Sequence, residues 1–195
     1  MRKLLTTILT AALAAGMALA QSSLPPEVEK ALLEALTGPA GEYRAFAEYN
    51  AVIEKFGEVE PYVSIRNAEA KHVQSVKNLL DKYGIEYPAE NPYLGEVAAP
   101  ESLEEAARAW AQGEISNIKM YDELLPLVQD YPDIVKVFEN LRRASLEKHL
   151  PAFQAAAEAG GTLTKAQMQE LGMAHGGQGH GQGNCQGHGQ GQNRP

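Results

Sequence analysis

The sequence predicts an all-α protein: an antiparallel four-helix bundle with a long connection between its second and third helices, a short helix in front and a disordered tail behind. Three observations carry this. Apolar residues recur at three- and four-residue spacing through four long segments. Strand signals are nearly absent. The stretch GIEYPAENPYLGEVAAP, residues 84–100, is rich in proline and glycine and divides the four segments into two pairs.

The chain of 195 residues opens MRKLLTTILTAALAAGMALAQ, with Arg2 and Lys3, an apolar run, and Ala18-Leu19-Ala20 before Gln21. This is the layout of a signal peptide over residues 1–20, so the mature chain is expected to be exported, periplasmic or extracellular, with no membrane span after cleavage. Residues 21–172 are the usual size of one domain. SSLPPEVEKALLEAL reads as a short helix that starts on proline and ends near Gly38-Pro39.

The first long helix is expected over about 40–56, with Ala45, Phe46, Tyr49, Val52, Ile53 and Phe56 on one stripe, closed by Gly57. The second covers about 61–83 and buries Ile65, Ala68, Val76, Leu79, Leu80 and Tyr83. A short turn makes these two antiparallel neighbours. The connection that follows is long enough, at ~3.3 Å per residue, to carry the chain back along the bundle.

The third helix is expected over about 101–129, on Leu103, Ala107, Trp110, Ile118, Tyr121, Leu125 and Val128, with Pro126 disturbing its last turn. The fourth runs over about 132–159, on Ile134, Phe138, Leu141, Ser145, Ala152 and Ala156. Pro151 inside it should kink the helix, because an amide hydrogen bond is lost and the carbonyl four residues back is crowded. TKAQMQELG offers a last turn or two. From about 173 the chain is almost entirely glycine, glutamine, histidine and asparagine, a composition that cannot bury a core.

The net charge of −8, more negative still once Arg2 and Lys3 leave, argues against nucleic acid or an anionic membrane as partner. Cys185 is the single cysteine, so the fold depends on no internal disulfide. It lies in the tail with His175, His180 and His188, a loose set of donors that either recruits metal ions or is merely solubilising. The body of the protein keeps two histidines, His72 and His149.

Both fall on inward stripes. Glu42 shares the stripe of Phe46 and Tyr49, Glu69 and His72 face inward from the second helix, Glu114 follows Trp110 and Ile118, and His149 follows Ser145 and Ala152. The short turns bring Glu42 level with His72, and Glu114 level with His149. EYRAFAEY and EISNIKMY each place a tyrosine seven residues after the glutamate, so Tyr49 and Tyr121 fall near the site, beyond its ligands, as core residues. Carboxylates buried without partners cost several kcal/mol each. Glutamate facing Glu-x-x-His is the ligand arrangement of carboxylate-bridged di-iron and di-manganese bundles.

The segments EYRAFAEYNAVIEKFG, IRNAEAKHVQSVKNLLDKYGI, GEISNIKMYDELL and LRRASLEKHLPAF resemble a bacterial and archaeal ferritin-like family catalogued as domain of unknown function 2202, related to the rubrerythrin and ferritin bundles. The resemblance covers about residues 27–160. It implies a ferritin-like bundle, a metal site of Glu42, Glu69, His72, Glu114 and His149 holding iron or manganese, and a possible homodimer. A full di-iron pattern would place glutamate three residues before His149, where this chain has Leu146.

Three functions compete on this reading. One is a di-iron oxidoreductase acting on dioxygen or peroxide, with Glu69 and Glu114 bridging the ions and Glu42, His72 and His149 capping them. The second is a metal carrier or reservoir that uses the histidine-rich tail. The third is a metal-free structural or interaction bundle whose inward carboxylates pair with arginine, Arg142 or Arg143 being the basic residues near that depth. No rubredoxin-type cysteine quartet, phosphate loop or nucleophile-and-base pattern is present to name a substrate.

Overall fold

A computed structural model describes residues 24–173; residues 1–23 and 174–195, on which the expected signal peptide and the tail histidines fall, lie outside the described residues. Helix α1 spans Pro26–Thr37, α2 Glu42–Phe56, α3 Tyr62–Lys82 and α4 Leu103–Leu124. Helix α5, Pro132–Ala144, passes through a π turn at Ser145–His149 into α6, Leu150–Glu158, and α7 covers Lys165–Glu170. No strand occurs among the described residues. The architecture is all-helical and compatible with a four-helix bundle, in which α5 and α6 act as one long fourth member.

The pairings follow the loop lengths. Helices α2 and α3 pack along each other across the turn at 57–61, and α4 packs on α6. Gly57 closes α2 at φ +87°, a conformation costly for any residue with a Cβ. The 84–100 connection is irregular, as expected, and pinned to the bundle. Tyr43 donates to the Pro88 carbonyl at 2.7 Å, Asn91 to the Tyr43 carbonyl at 2.6 Å, and Tyr93 to the Thr37 carbonyl at 2.8 Å.

Proline acts differently at its two helical positions. Pro126 ends α4 in a 3₁₀ turn, Leu125–Val128. Pro151 is accommodated by widening rather than by a break: the Leu150 N–H reaches back to Ser145 O across the π turn, five residues away. Proline needs no amide partner at the start of α6, so the extra residue absorbs what an unbroken α-helix would leave strained.

The apolar core has two parts. One gathers Leu32, Leu36, Val76, Leu80, Tyr121, Phe138 and Leu141, and the other Tyr49, Tyr62, Ile65, Ala107, Trp110, Ala152 and Phe153. Along each of the four long members a polar residue lies between them: Glu42 near the start of α2, Glu69 in α3, Glu114 and Asn117 in α4, Ser145 and His149 in the π turn. The buried polar layer thus divides two apolar slabs. The stripes read from the sequence hold for the fourth helix, where all six residues are buried. In α2 the buried face is rotated, taking in Tyr43, Ala47 and Glu48 and leaving Ala45, Phe46, Ile53 and Phe56 half-buried.

Candidate metal centre

Glu69 is the hub. Its Oε2 lies 2.9 Å from His72 Nδ1 and its Oε1 lies 2.9 Å from His149 Nδ1. The first contact is local, since positions three apart share a helix face. The second crosses from α3 to the π turn. Two outer carboxylates complete the group: Glu42 Oε2 stands 3.5 Å from His72 Nδ1 and Glu114 Oε1 stands 3.4 Å from His149 Nδ1. The imidazole rings stack with centroids 5.4 Å apart and 22° between planes. Glu42, Glu69, Glu114 and His149 are each at most 2% exposed, so solvent does not neutralise the cluster.

The tyrosines are buried as expected, but they also bond the outer carboxylates. Tyr49 donates to Glu114, and Tyr121 donates to Glu42. Each tyrosine sits seven residues after one glutamate and serves the other, so the repeated spacing becomes a crossed pair of hydrogen bonds between α2 and α4. Asn117 donates to Glu42 Oε1 at 3.3 Å and to the Ala40 carbonyl at 2.9 Å, and accepts from Ser145 Oγ at 2.9 Å. The sequence reading missed Asn117, although its place three residues after Glu114 on one helix face was the signal.

All five expected residues therefore converge, and Glu69, His72 and His149 offer donor atoms within 4.8 Å of one another. Leu146 does not fill the place of a ligand. It is 42% exposed, while Ser145 is buried facing Asn117. A turn closed by an i→i+5 hydrogen bond takes more than four residues, so the neighbour four before His149 stays on the inner face and the one three before swings out. Among the described residues, Glu42, Glu69 and Glu114 pair with no arginine. Arg142 bonds Asp122, Arg143 bonds Asn140, and Arg44 bonds Glu48, a further buried carboxylate that the sequence reading passed over.

The electrostatics follow from burial and these contacts. Burial works to raise the pKa of Glu69, but the flanking His72 and His149 overturn it and hold the carboxylate well below its usual range. Glu42 is pushed up to about 7, chiefly by burial and then by the Glu69 charge. Burial opposes charging of the imidazoles, yet Glu69 and Glu42 hold His72 up at about 11, and Glu114 and Glu69 hold His149 at about 10. Tyr49 and Tyr121 are driven well above their usual range, again first by burial, so both remain donors.

The donor set suits a cation. Ligands held ~2.1 Å from one ion stand ~3.0 Å apart at a right angle and ~3.4 Å apart at a tetrahedral angle. The four Nδ1–carboxylate separations, 2.9 and 3.5 Å around His72 and 2.9 and 3.4 Å around His149, are short enough for donors to one ion, and the 2.9 Å contact of His72 with Glu69 is also a hydrogen bond. Two atoms of the cluster, Glu42 Oε2 and His149 Nδ1, are buried without a hydrogen bond. His149 Nδ1 is near Glu69 Oε1 but off the line that a hydrogen bond needs. Each half of the group presents one outer carboxylate, one imidazole nitrogen and one oxygen of the shared Glu69.

No helix among the described residues is long and apolar enough to cross a membrane. No curated protein and no solved structure matches the chain. Residues 42–171, more than half of the chain and the whole of the segment that builds this centre, match the model of an uncharacterized protein domain (DUF2202), and the chain belongs to that family.

Proposed function

We propose that this is an exported metal-binding protein of ferritin and rubrerythrin type, in whose buried centre Glu42, Glu69, His72, Glu114 and His149 would hold iron or manganese. The observation that supports it is the placing of one carboxylate between two buried imidazole nitrogens, 2.9 Å from each, with an outer carboxylate behind each nitrogen. Glu42 and His72 would hold one ion, and Glu114 and His149 the other. Tyr49, Tyr121 and Asn117 would orient the outer carboxylates, and the two apolar slabs would keep water from competing for the ions. Iron or manganese in that place would supply one-electron exchange with dioxygen or peroxide.

The test is metal content by mass spectrometry on the full chain, with His175, His180 and His188 replaced by asparagine and Cys185 by serine so that the tail adds nothing to the count. About two ions per chain, lost in Glu69→Ala/His72→Ala, is the expected result for a carboxylate-bridged pair. Absence of metal, with melting indifferent to added iron and to chelator, would refute it.

One observation favours a second reading, a metal-free bundle. With pKa values held at about 11 and about 10, His72 and His149 can carry protons that offset two of the three carboxylates, and Glu42 at about 7 is at the margin of keeping its own. The same measurement separates the two.

A further inference from the structure

Lys71-His72 and Lys148-His149 are the same dipeptide in the two halves of the chain. The centre uses the histidines and leaves the lysines unexplained. Both rings turn Nδ1 toward Glu69, and both also line a cavity of about 500 Å³, within the size range of small-molecule sites. Lys71 and Lys148 line it too, with Asn67 beside them and no aspartate or glutamate among the lining residues. In a chain of 25 acidic and 17 basic side chains, a concavity with two lysines, two histidines and no carboxylate is a marked segregation of charge.

The ammonium groups are not consumed by the fold. Neither lysine has an ion pair among the described residues, and Lys148 Nζ makes only a 3.3 Å hydrogen bond to the Leu171 carbonyl at the end of α7. Room for that ammonium is made by Gly172, where a Cβ would stand 2.9 Å from Nζ and where φ is +65°. Helix α7 and its glycine end therefore hold one lysine at the cavity, while α3 brings the other. The larger groove beside α1 differs in kind, since Glu27, Glu34 and Glu123 there accompany Lys30 and Lys119.

We propose that this cavity is a binding site for a small oxyanion, with Lys71 and Lys148 as its principal donors and the Asn67 carboxamide and the Nε2–H groups of His72 and His149 as further ones. An Nε2–H remains a donor when Nδ1 is engaged by carboxylate or by a cation. Lysine serves as a point-charge partner for tetrahedral or carboxylate oxygens alike, so phosphate and dicarboxylates share the required chemistry. The site borders the outer edge of the imidazole pair, so its ligand would lie against the centre without competing for Nδ1.

The experiment is calorimetric titration of the metal-free full chain at low ionic strength with inorganic phosphate and, separately, with succinate. The metal-free chain keeps the result independent of the metal reading, whose failure would show only in metal content. Saturable binding of either probe at about one per chain, weakened at least tenfold in Lys71→Gln/Lys148→Gln and unchanged in Lys30→Gln/Lys119→Gln, is expected. The probe that binds tells tetrahedral anion from dicarboxylate. Binding of neither, or equal binding by a Lys71→Gln/Lys148→Gln chain that melts as wild type, overturns the proposal.

Discussion

Metal affinity should keep rising with pH far beyond the range where histidine ordinarily stops mattering. A cation at Nδ1 must displace the proton there, and the pKa values of about 11 at His72 and about 10 at His149 mean that both protons are present at pH 8. At 1.36 kcal/mol per pKa unit, displacement at pH 8 costs about 4 kcal/mol at His72 and about 3 kcal/mol at His149. Each half-site should therefore gain about tenfold in affinity per pH unit up to the imidazole's own pKa, whereas a histidine titrating near ~6.5 would level off above pH ~7. Below its pKa of about 7, Glu42 adds a second proton, so the slope on the His72 side steepens there to about a hundredfold per unit. Calorimetry with manganese(II) between pH 6 and 9, in two buffers of different ionisation enthalpy, counts the protons released. About one per ion at pH 8 is expected. A plateau in affinity from pH 7 to 9, with proton release near zero, would refute the reasoning.

Without metal, the same groups set stability in a known direction. A base whose pKa is raised by folding lends its full stabilisation below its unfolded value and loses it as pH climbs through the folded one, so His72 and His149 should let the melting temperature fall between about pH 6.5 and 11. Glu69, held low, lends stability above its unfolded value and loses it on acidification, while Glu42, raised to about 7, works the other way between pH 4.5 and 7. Thermal melts in chelator check both limbs, and His72→Gln/His149→Gln should flatten the alkaline one. Tyr49→Phe and Tyr121→Phe each remove a donor to a buried carboxylate and should cost about 1.5–3 kcal/mol in urea unfolding of the metal-free chain, with a further loss of metal affinity. Gly161→Ala should cost more than ~2 kcal/mol, since a Cβ there would stand 2.3 Å from the Leu103 carbonyl carbon at a φ of +107°. A melting temperature equal to wild type would contradict that close approach.

Helix order, the two-pair arrangement and the five inward donors were legible in the sequence, because hydrophobic period and turn length act locally and Glu42, Glu69, His72, Glu114 and His149 sit at helical spacing from apolar residues that had to be buried. Tertiary structure alone decided three things. The π turn before Pro151 turns Leu146 outward and keeps Ser145 inward, a change of register that a fixed helical period cannot express. The tyrosines bond across the bundle rather than packing passively, which depends on how α2 and α4 are rotated about their own axes. Lys71 and Lys148, on elements far apart in the chain, reach one cavity only because stacking His72 on His149 brings their neighbours to the same side. Local spacing fixes which residues share a face; packing between helices fixes which faces, and which atoms on them, meet.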